Sequence, residues 1–404
     1  MTRVEAIDDD RTARVAWSLL VEPGDAVAGA LVAAMGAPAA WAWLLRAAGS
    51  GEVPDPLGRD DAPGPVGQAV EAPGRARLAR ALDRWLPRLP GLDVDRPLDV
   101  LHRMGGAFLV PGDPAWPAPL DDLGPAAPVG LWVRGRSELA AMTRGSVAVV
   151  GARAATTYGE RVAHDLAAGL ADERTTVVSG GAFGIDAAAH RGSLARGGPT
   201  VVVLAGGVDR ATPAGNARLI EAAVADGGAV VAEVPVGRTP TRSRFLQRNR
   251  LIAALAAGTV VVEAAWRSGA LSTAHHAAGL LRPVGAVPGP VTSVASAGCH
   301  RLLRDGVAVC VTDVSDVLEL VRGPGVEAEE PSAARPGDEL PEHARRILDA
   351  ASRRRALDVT ALAVRAGVSL DEASGALGML ELEGAVERVQ EGWRLASAGP
   401  GRVT

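Results

Sequence analysis

The chain contains no lysine, so all 42 of its basic residues are arginine. That absence excludes a phosphate loop of the usual kind, whose lysine reaches the terminal phosphates, and any enzyme working through a lysine Schiff base. Cysteine is scarce too. Cys299 and Cys310 cannot build a disulfide framework and lack companion ligands for a structural zinc, so both are expected to be small buried apolar residues. Aromatic residues make up 3%, and no apolar run reaches the ~18 residues of a membrane helix, so no membrane role is expected. The opening MTRVEAIDDDRTARVAW is acidic where a secretory signal would be basic and then apolar, which predicts a cytoplasmic protein.

What is present is a 404-residue chain with 48% hydrophobic and 22% charged residues. At ~150 residues per domain this predicts two or three soluble globular domains. A net charge of −5 excludes a protein that coats nucleic acid over its whole surface, so any such binding has to be local. The bias toward Arg, Gly, Pro and Ala resembles that of a GC-rich genome, which weakens the evidence carried by any single arginine.

Residues 1–100 read as a small helical module. Apolar clusters (Val15, Trp17, Leu19, Leu20; Leu31, Val32, Met35; Trp41, Leu44, Leu45) alternate with Gly and Pro breaks. Within it, residues 51–75 are rich in Pro, Gly and Asp and predict a loop, with a helix from Arg75 to Leu86. Residues 101–144 are punctuated by proline and predict an extended connector with short strands. From 145 to 320, short β-branched runs recur: Val147 to Val150, Thr176 to Ser179, Thr200 to Leu204, Ala229 to Ala232, Thr259 to Glu263, Val284 to Val287 and Val307 to Val311. Helix-like stretches such as Val162, Leu166, Ala167, Leu170 lie between them. This alternation predicts an α/β fold, a Rossmann-like parallel sheet with helices on both faces. Residues 321–342 are acidic and rich in Pro and Gly, as a linker is. Residues 343–396 give three helix patterns and a short β pair, with Ser369 and Glu372 spaced as a capping box, which predicts a C-terminal winged helix.

Ligands of an open parallel sheet bind beyond the carboxyl ends of its strands. The first such end carries Gly151-Ala152-Arg153, then Thr156 to Gly159 opening a helix. The second carries Ser179, Gly180 and Gly181, followed by Asp186 and His190. Exposed glycine amides at helix starts suit an anion, and two such loops side by side suit a polyphosphate or a nucleic-acid backbone. Asp186 is expected to offset the helix dipole or cap, and His190, four residues on, to be a structural histidine able to pair with it. The most specific stretch is Arg242-Ser243-Arg244-Phe245-Leu246-Gln247-Arg248-Asn249-Arg250, where four arginines surround one ring, the combination used for single-stranded nucleic acid. The bland alternative is an amphipathic helix with Phe245 in the core. After the next strand, Arg267, Ser268 and Gly269 open another helix at the same sheet edge.

The succession VAVVGAR, YGE, VVSGGAFGID, VVVLAGGVDR, FLQRNRLIAAL, VVVEAAWRSGALSTA and GAVPGP resembles the DNA-processing protein A family, also called Smf, over about residues 145–310. The resemblance implies a non-enzymatic protein of natural transformation. Such a protein binds and protects incoming single-stranded DNA and assists loading of a RecA-type recombinase, usually as a homodimer. It implies no cofactor and no metal. The family's DNA contacts fall on Arg153, the Ser179-Gly180-Gly181 backbone, Arg242, Phe245 and Arg267, and we extend them to Arg248, Asn249, Arg250, Ser268 and Gly269. The chain departs from the family pattern at Phe183, where many relatives have arginine, at Thr212, where tyrosine is usual, and at Gly298 to Leu303. Phe183 offers a further stacking face.

Two other function classes compete. A nucleotide or phosphoribosyl hydrolase on this sheet would need a catalytic carboxylate, for which only Glu233 and Glu263 are placed at strand ends, and it would carry a P-G-G-x-G-T signature that is missing. A transcription regulator would act through the winged helix. That segment holds eight arginines against nine acidic residues over 341–396, a net charge near −1, although Arg353, Arg354 and Arg355 form a local patch. It is expected to bind a protein partner or regulate assembly. His275 and His276 point about 100° apart on a helix and cannot share a metal.

Overall fold

Alternation along the β-branched runs decides the architecture. Val147 and Val149 pack with Leu166, Leu170 and Ile185 on one face, while Ala148 and Val150 pack with Leu251, Ile252 and Leu255 on the other. A strand apolar at every position needs cover on both faces, and helices supply it. The computed structural model describes residues 7–50, 65–322, 341–352, 356–382, 384–390 and 392–396.

Among these residues one large sheet forms from β1 (Ala107–Leu109), β2 (Leu131–Gly135), β3 (Val147–Val150), β4 (Val177–Ser179), β5 (Thr200–Val203), β6 (Ala229–Ala232), β7 (Gly258–Val261), β8 (Val284–Ala286) and β9 (Val309–Cys310). The spatial order is β1-β2-β6-β5-β4-β3-β7-β8-β9. From β6 to β9 every neighbouring pair is parallel, and the order reverses at β3, which has β4 on one side and β7 on the other. Loops after β3 and β7 therefore diverge to opposite sides and leave a crevice between them.

The segment expected to be a connector is part of this sheet. Strand β2 pairs antiparallel with β6, from Trp132 opposite Ala232 to Gly135 opposite Ala229, and β1 pairs with β2. Trp132 and Phe108 meet edge to face at 5.0 Å in the core, which gives this proline-punctuated stretch a buried apolar face of its own. Cys299 is buried as expected, but Cys310 is exposed because β9 is the last strand of the sheet.

Ahead of the sheet, helices Asp10–Leu20, Ala26–Met35, Ala37–Ser50 and Pro65–Trp85 enclose Trp17, Trp41, Trp43 and Trp85. Trp17 meets Trp41 and Trp85 edge to face at 5.7 and 5.4 Å. Residues 51–64 of the expected loop lie outside the described residues. The fourth helix begins at Pro65, ten residues earlier than expected, since proline is tolerated in a first helical turn that needs no amide donor. No single helix among the described residues is long and apolar enough to cross a membrane. Helices Ala26–Met35 and Ala37–Ser50, apolar as a pair, meet at 115° and bury their apolar residues in this tryptophan core.

The loop between the first two of these helices is fastened to the sheet domain. Glu22 accepts two hydrogen bonds from Arg244, at 2.9 and 3.0 Å, and pairs with Arg88 at 3.2 Å. Burial raises the Glu22 pKa, but the two arginines outweigh it and hold the carboxyl below its ordinary value. Gly24, at φ +71°, donates its amide to Glu233, and a side chain there would collide with Gln247 and Arg250.

The C-terminal unit is a winged helix. Helices Glu342–Ala350, Val359–Ala366 and Leu370–Leu382 precede a hairpin of Val386–Val389 and Gly392–Leu395, with Leu362, Leu377, Leu380 and Val386 in its core. Gly367, left-handed at φ 63°, ends the second helix. Ser369 and Glu372 bond reciprocally, Ser369 amide to carboxylate at 2.8 Å and Glu372 amide to hydroxyl at 3.3 Å, as a capping box does. Most of the expected acidic linker, and the patch Arg353 to Arg355, lie outside the described residues.

Candidate functional site

A cleft of about 410 Å³ opens at the point where the strand order reverses, lined by Gly151, Arg153, Phe245, Asn249, Arg267 and Ser268 among others. Beside it lies a second recess of about 430 Å³ lined by Arg153, Pro240, Arg242 and Phe245. The shared Arg153 and Phe245 join them into one rim. Three arginines from three crossover units thus meet: Arg153 after β3, Arg267 after β7, and Arg242 at the start of helix Arg242–Leu255. All three are exposed, and Arg242 and Arg267 have no ion pair among the described residues. The Arg153 guanidinium sits 4.7 Å from the centroid of the half-buried Phe245 ring, so ring and cation already face each other.

Helix Arg242–Leu255 shows how one basic motif divides. The Thr241 side chain caps it and leaves Arg242 outside, while its later turns must cover the sheet with Leu251, Ile252 and Leu255. Residues on the covering face are drawn inward. Arg248 is buried and donates to the carbonyls of Gly180 at 2.6 Å and Val203 at 2.8 Å, clamping two strand ends; burial lowers its pKa. Arg250 is buried against Glu233 at 2.5 Å. Asn249 is buried and its amide reaches the Gly269 carbonyl at 3.2 Å, tying this helix to the next. The structure therefore gives Arg248 and Arg250 internal partners. Arg248 and Asn249, although buried, still line the cleft wall, whereas Arg250 does not.

The glycine loops depart further from expectation. The Ser179 hydroxyl is fully buried and donates to the Val149 carbonyl at 2.7 Å. The Gly180 amide donates to the Asp186 carboxylate at 3.1 Å, and Ala182 does so at 3.4 Å. Asp186 thus closes its own loop, and burial holds its carboxyl above the ordinary value against the pull of Arg248. At the first loop, Glu263 accepts from the Thr156 amide at 2.9 Å and hydroxyl at 2.6 Å. Carboxylates thus already occupy the Gly180, Ala182 and Thr156 amides. Glycine serves close packing here: a side-chain carbon on Gly180 would meet the Arg248 guanidinium at 2.3 Å, and one on Gly159 would meet Glu263 at the same distance.

His190 does not pair with Asp186. It is fully buried, its Nδ1 lies 2.7 Å from the Thr200 hydroxyl, its Nε2 has no partner, and burial pushes its pKa down to about 3. The two carboxylates at strand ends are both engaged, Glu263 by Thr156 and Glu233 by Gly24 and Arg250. Ser268 caps helix Gly269–Gly279 through the Ala270 amide, which spends its hydroxyl locally, while Gly269 stays exposed at the cleft edge. Sequence inspection passed over Thr241 and the capping role of Glu263. A hydroxyl residue just after a proline and a lone acid at a strand end were the available signals. It also passed over Tyr158 and Trp266 as surface rings, for which residue type gives no signal of exposure.

Comparisons with known proteins place the chain in a family. The model of DNA recombination-mediator protein A matches residues 107–322, and that of the DprA winged helix domain matches residues 331–392. A putative DNA processing protein DprA of Mycobacterium tuberculosis is 45% identical over 325 residues, covering 77% of this chain and 83% of that protein. DNA processing protein DprA of Streptococcus pneumoniae is 40% identical over 192 residues, covering 48% of this chain and 66% of that protein. The X-ray structure of the S. pneumoniae protein superposes with a TM-score of 0.55 at 28% identity, covering 78% of this chain and 98% of that one. Carrying both the recombination-mediator domain and the winged helix in that order, this chain belongs to the DprA/Smf family of DNA recombination-mediator proteins.

Proposed function

We propose that the rim formed by Arg153, Arg242, Arg267 and Phe245 binds single-stranded DNA, and that the protein protects incoming DNA and assists loading of a RecA-type recombinase. In this role it works in the cytoplasm, as a homodimer and without catalysis. The observation that carries the proposal is the convergence of three exposed arginines and one half-buried ring on a cleft and its adjoining recess. Guanidinium groups attract phosphate, and a ring stacks on any base because every base has a π face. The DNA is held chiefly by side chains, since the Gly180 and Thr156 amides already serve Asp186 and Glu263. That occupancy also disfavours a bound polyphosphate, which would face two carboxylates.

A hydrolase needs a carboxylate free to approach a glycosidic bond, and Glu233 and Glu263 each hold two protein donors instead. The test is equilibrium binding of single-stranded against duplex DNA without cofactor, at two salt concentrations, for the wild type and Arg153→Ala. We expect preferential binding of single strands, weakening as salt rises, and a marked loss in the variant. Equal affinity of variant and wild type would remove the rim from the mechanism. Release of ribose phosphate from a nucleotide, dependent on Glu263, would favour the hydrolase.

A further inference from the structure

Most tryptophans of this chain are hidden: Trp17, Trp41, Trp43, Trp85 and Trp132 are fully buried and Trp116 nearly so. Trp393 of the winged helix is half-buried, and Trp266 alone among the described tryptophans is exposed, with 52% of its surface open. The other exposed aromatic rings are Tyr158, at 46%, and Phe183, at 49%. All three follow the carboxyl ends of strands, Tyr158 in the first turn of helix Thr157–Asp172 after β3, Phe183 in the turn after β4 and Trp266 in the turn after β7. In a chain with so few aromatic residues, every strongly exposed ring lies on the rim that carries the cleft. Leaving an indole half in water forgoes much of its burial energy, and nothing in the fold calls for it at position 266.

The surroundings of Trp266 indicate what covers it. Arg267, the next residue, lines the central cleft. On its other side the Arg301 guanidinium stands 5.3 Å from the ring centroid, and Arg301 rides on helix Ala297–Arg304. The preceding residue of that helix, His300, lies 3.0 Å from the Gly289 carbonyl. The residue before Gly289, Pro288, accepts at 2.8 Å from the hydroxyl of Tyr158. Trp266 thus follows the cleft in the chain's own order, next to Arg267, with the Arg301 guanidinium, itself paired with Asp305 at 3.3 Å, against its ring. A flat apolar face beside arginines suits a base flanked by its phosphates.

We infer that Trp266 is an outer stacking platform, on which a base of the strand rests after leaving the central cleft toward β8, with Arg267 and Arg301 holding the adjoining phosphates. This rests on the cleft binding single-stranded DNA, and it adds a subsite with its own signature. Stacking releases no counterions, so it changes affinity without changing the salt slope.

The test is binding of oligothymidylates of graded length to the full chain by fluorescence anisotropy. Trp266→Ala is expected to lose about tenfold in affinity, ~1.4 kcal/mol, for oligonucleotides long enough to pass beyond the cleft. It should bind the shortest competent oligonucleotide as the wild type does, with an unchanged salt slope, and Trp266→Phe should retain most of the affinity. In parallel, DNA is expected to alter the tryptophan emission of the wild type, and that change should shrink sharply in Trp266→Phe, a conservative variant that keeps the fold. Wild-type affinity of Trp266→Ala at every length, or an emission change undiminished in Trp266→Phe, overturns the subsite. If Arg153→Ala also binds normally, it is the cleft assignment that has failed; if Arg153→Ala alone is impaired, the cleft stands and Trp266 lies off the path.

Discussion

The first and later turns of helix Arg242–Leu255 carry the same residue type to opposite ends. Arg242 points to solvent above the cleft, whereas Arg248 and Arg250 are drawn beneath the surface to hold strand ends and a carboxylate. Between them, Arg244 faces sideways and grips Glu22 of the helical module. A basic motif is thus not a count of charges presented to a ligand. Position on the helix decides whether an arginine contributes to recognition or to cohesion, and the two roles fail in different assays.

The sharpest way to break this comparison is at Arg250. Its removal leaves Glu233 buried without its main partner, and breaking a buried ion pair costs about 3–5 kcal/mol. Denaturant unfolding of Arg250→Ala should show a loss of this order; a loss under 1 kcal/mol would mean that the pair contributes little cohesion. A second inward group is read by pH. The folded-state pKa of His190 is depressed to about 3, below its ordinary 6.5, so between these values the unfolded chain takes up a proton that the folded chain refuses. Stability should therefore be complete above pH 6.5 and fall as pH drops toward 3, approaching 1.4 kcal/mol per pH unit for one proton. Comparing wild type with His190→Gln at several pH values isolates this share of the slope, and identical slopes would show that the imidazole is not what refuses the proton.

Outward groups should reverse the pattern. Arg153→Ala is expected to bind single-stranded DNA about tenfold more weakly and to lower the salt slope by about 0.7, while its unfolding free energy stays within about 0.5 kcal/mol of wild type. A large stability loss there would place Arg153 with the inward group. The smallest effect is expected at Arg242, which stands at the outer recess; Arg242→Ala should weaken binding about threefold, again at unchanged stability. An effect larger than that of Arg153→Ala would move the centre of the site toward the recess.

Much of the sheet was legible because strands buried on both faces leave continuous β-branched runs, and each of the seven runs from Val147 onward became a strand of the sheet. The pairing of β2 with β6 was not legible, since Trp132 and Ala232 are distant in sequence and nothing local names a partner. At the site, the motifs located the cleft, where Arg153 and Arg267 meet, with Arg242 at the adjoining recess that shares Arg153. What the letters could not tell was which polar groups were already engaged. Asp186 engages the Gly180 and Ala182 amides, and Glu263 the Thr156 amide, through contacts that depend on loop shape. His190 turns to Thr200 because that hydroxyl is presented by the neighbouring strand.

The fastening of Glu22 and Gly24 onto the sheet domain has a practical corollary for anyone shortening this protein. Cutting the chain after residue 50 would not release a freestanding DNA-binding half: it would strip Arg244 of its counterion and deprive Glu233 of the Gly24 amide, on the very helix that displays Arg242 and Phe245. Trimming at the amino end should accordingly be registered in the grip on DNA, more than two hundred residues downstream.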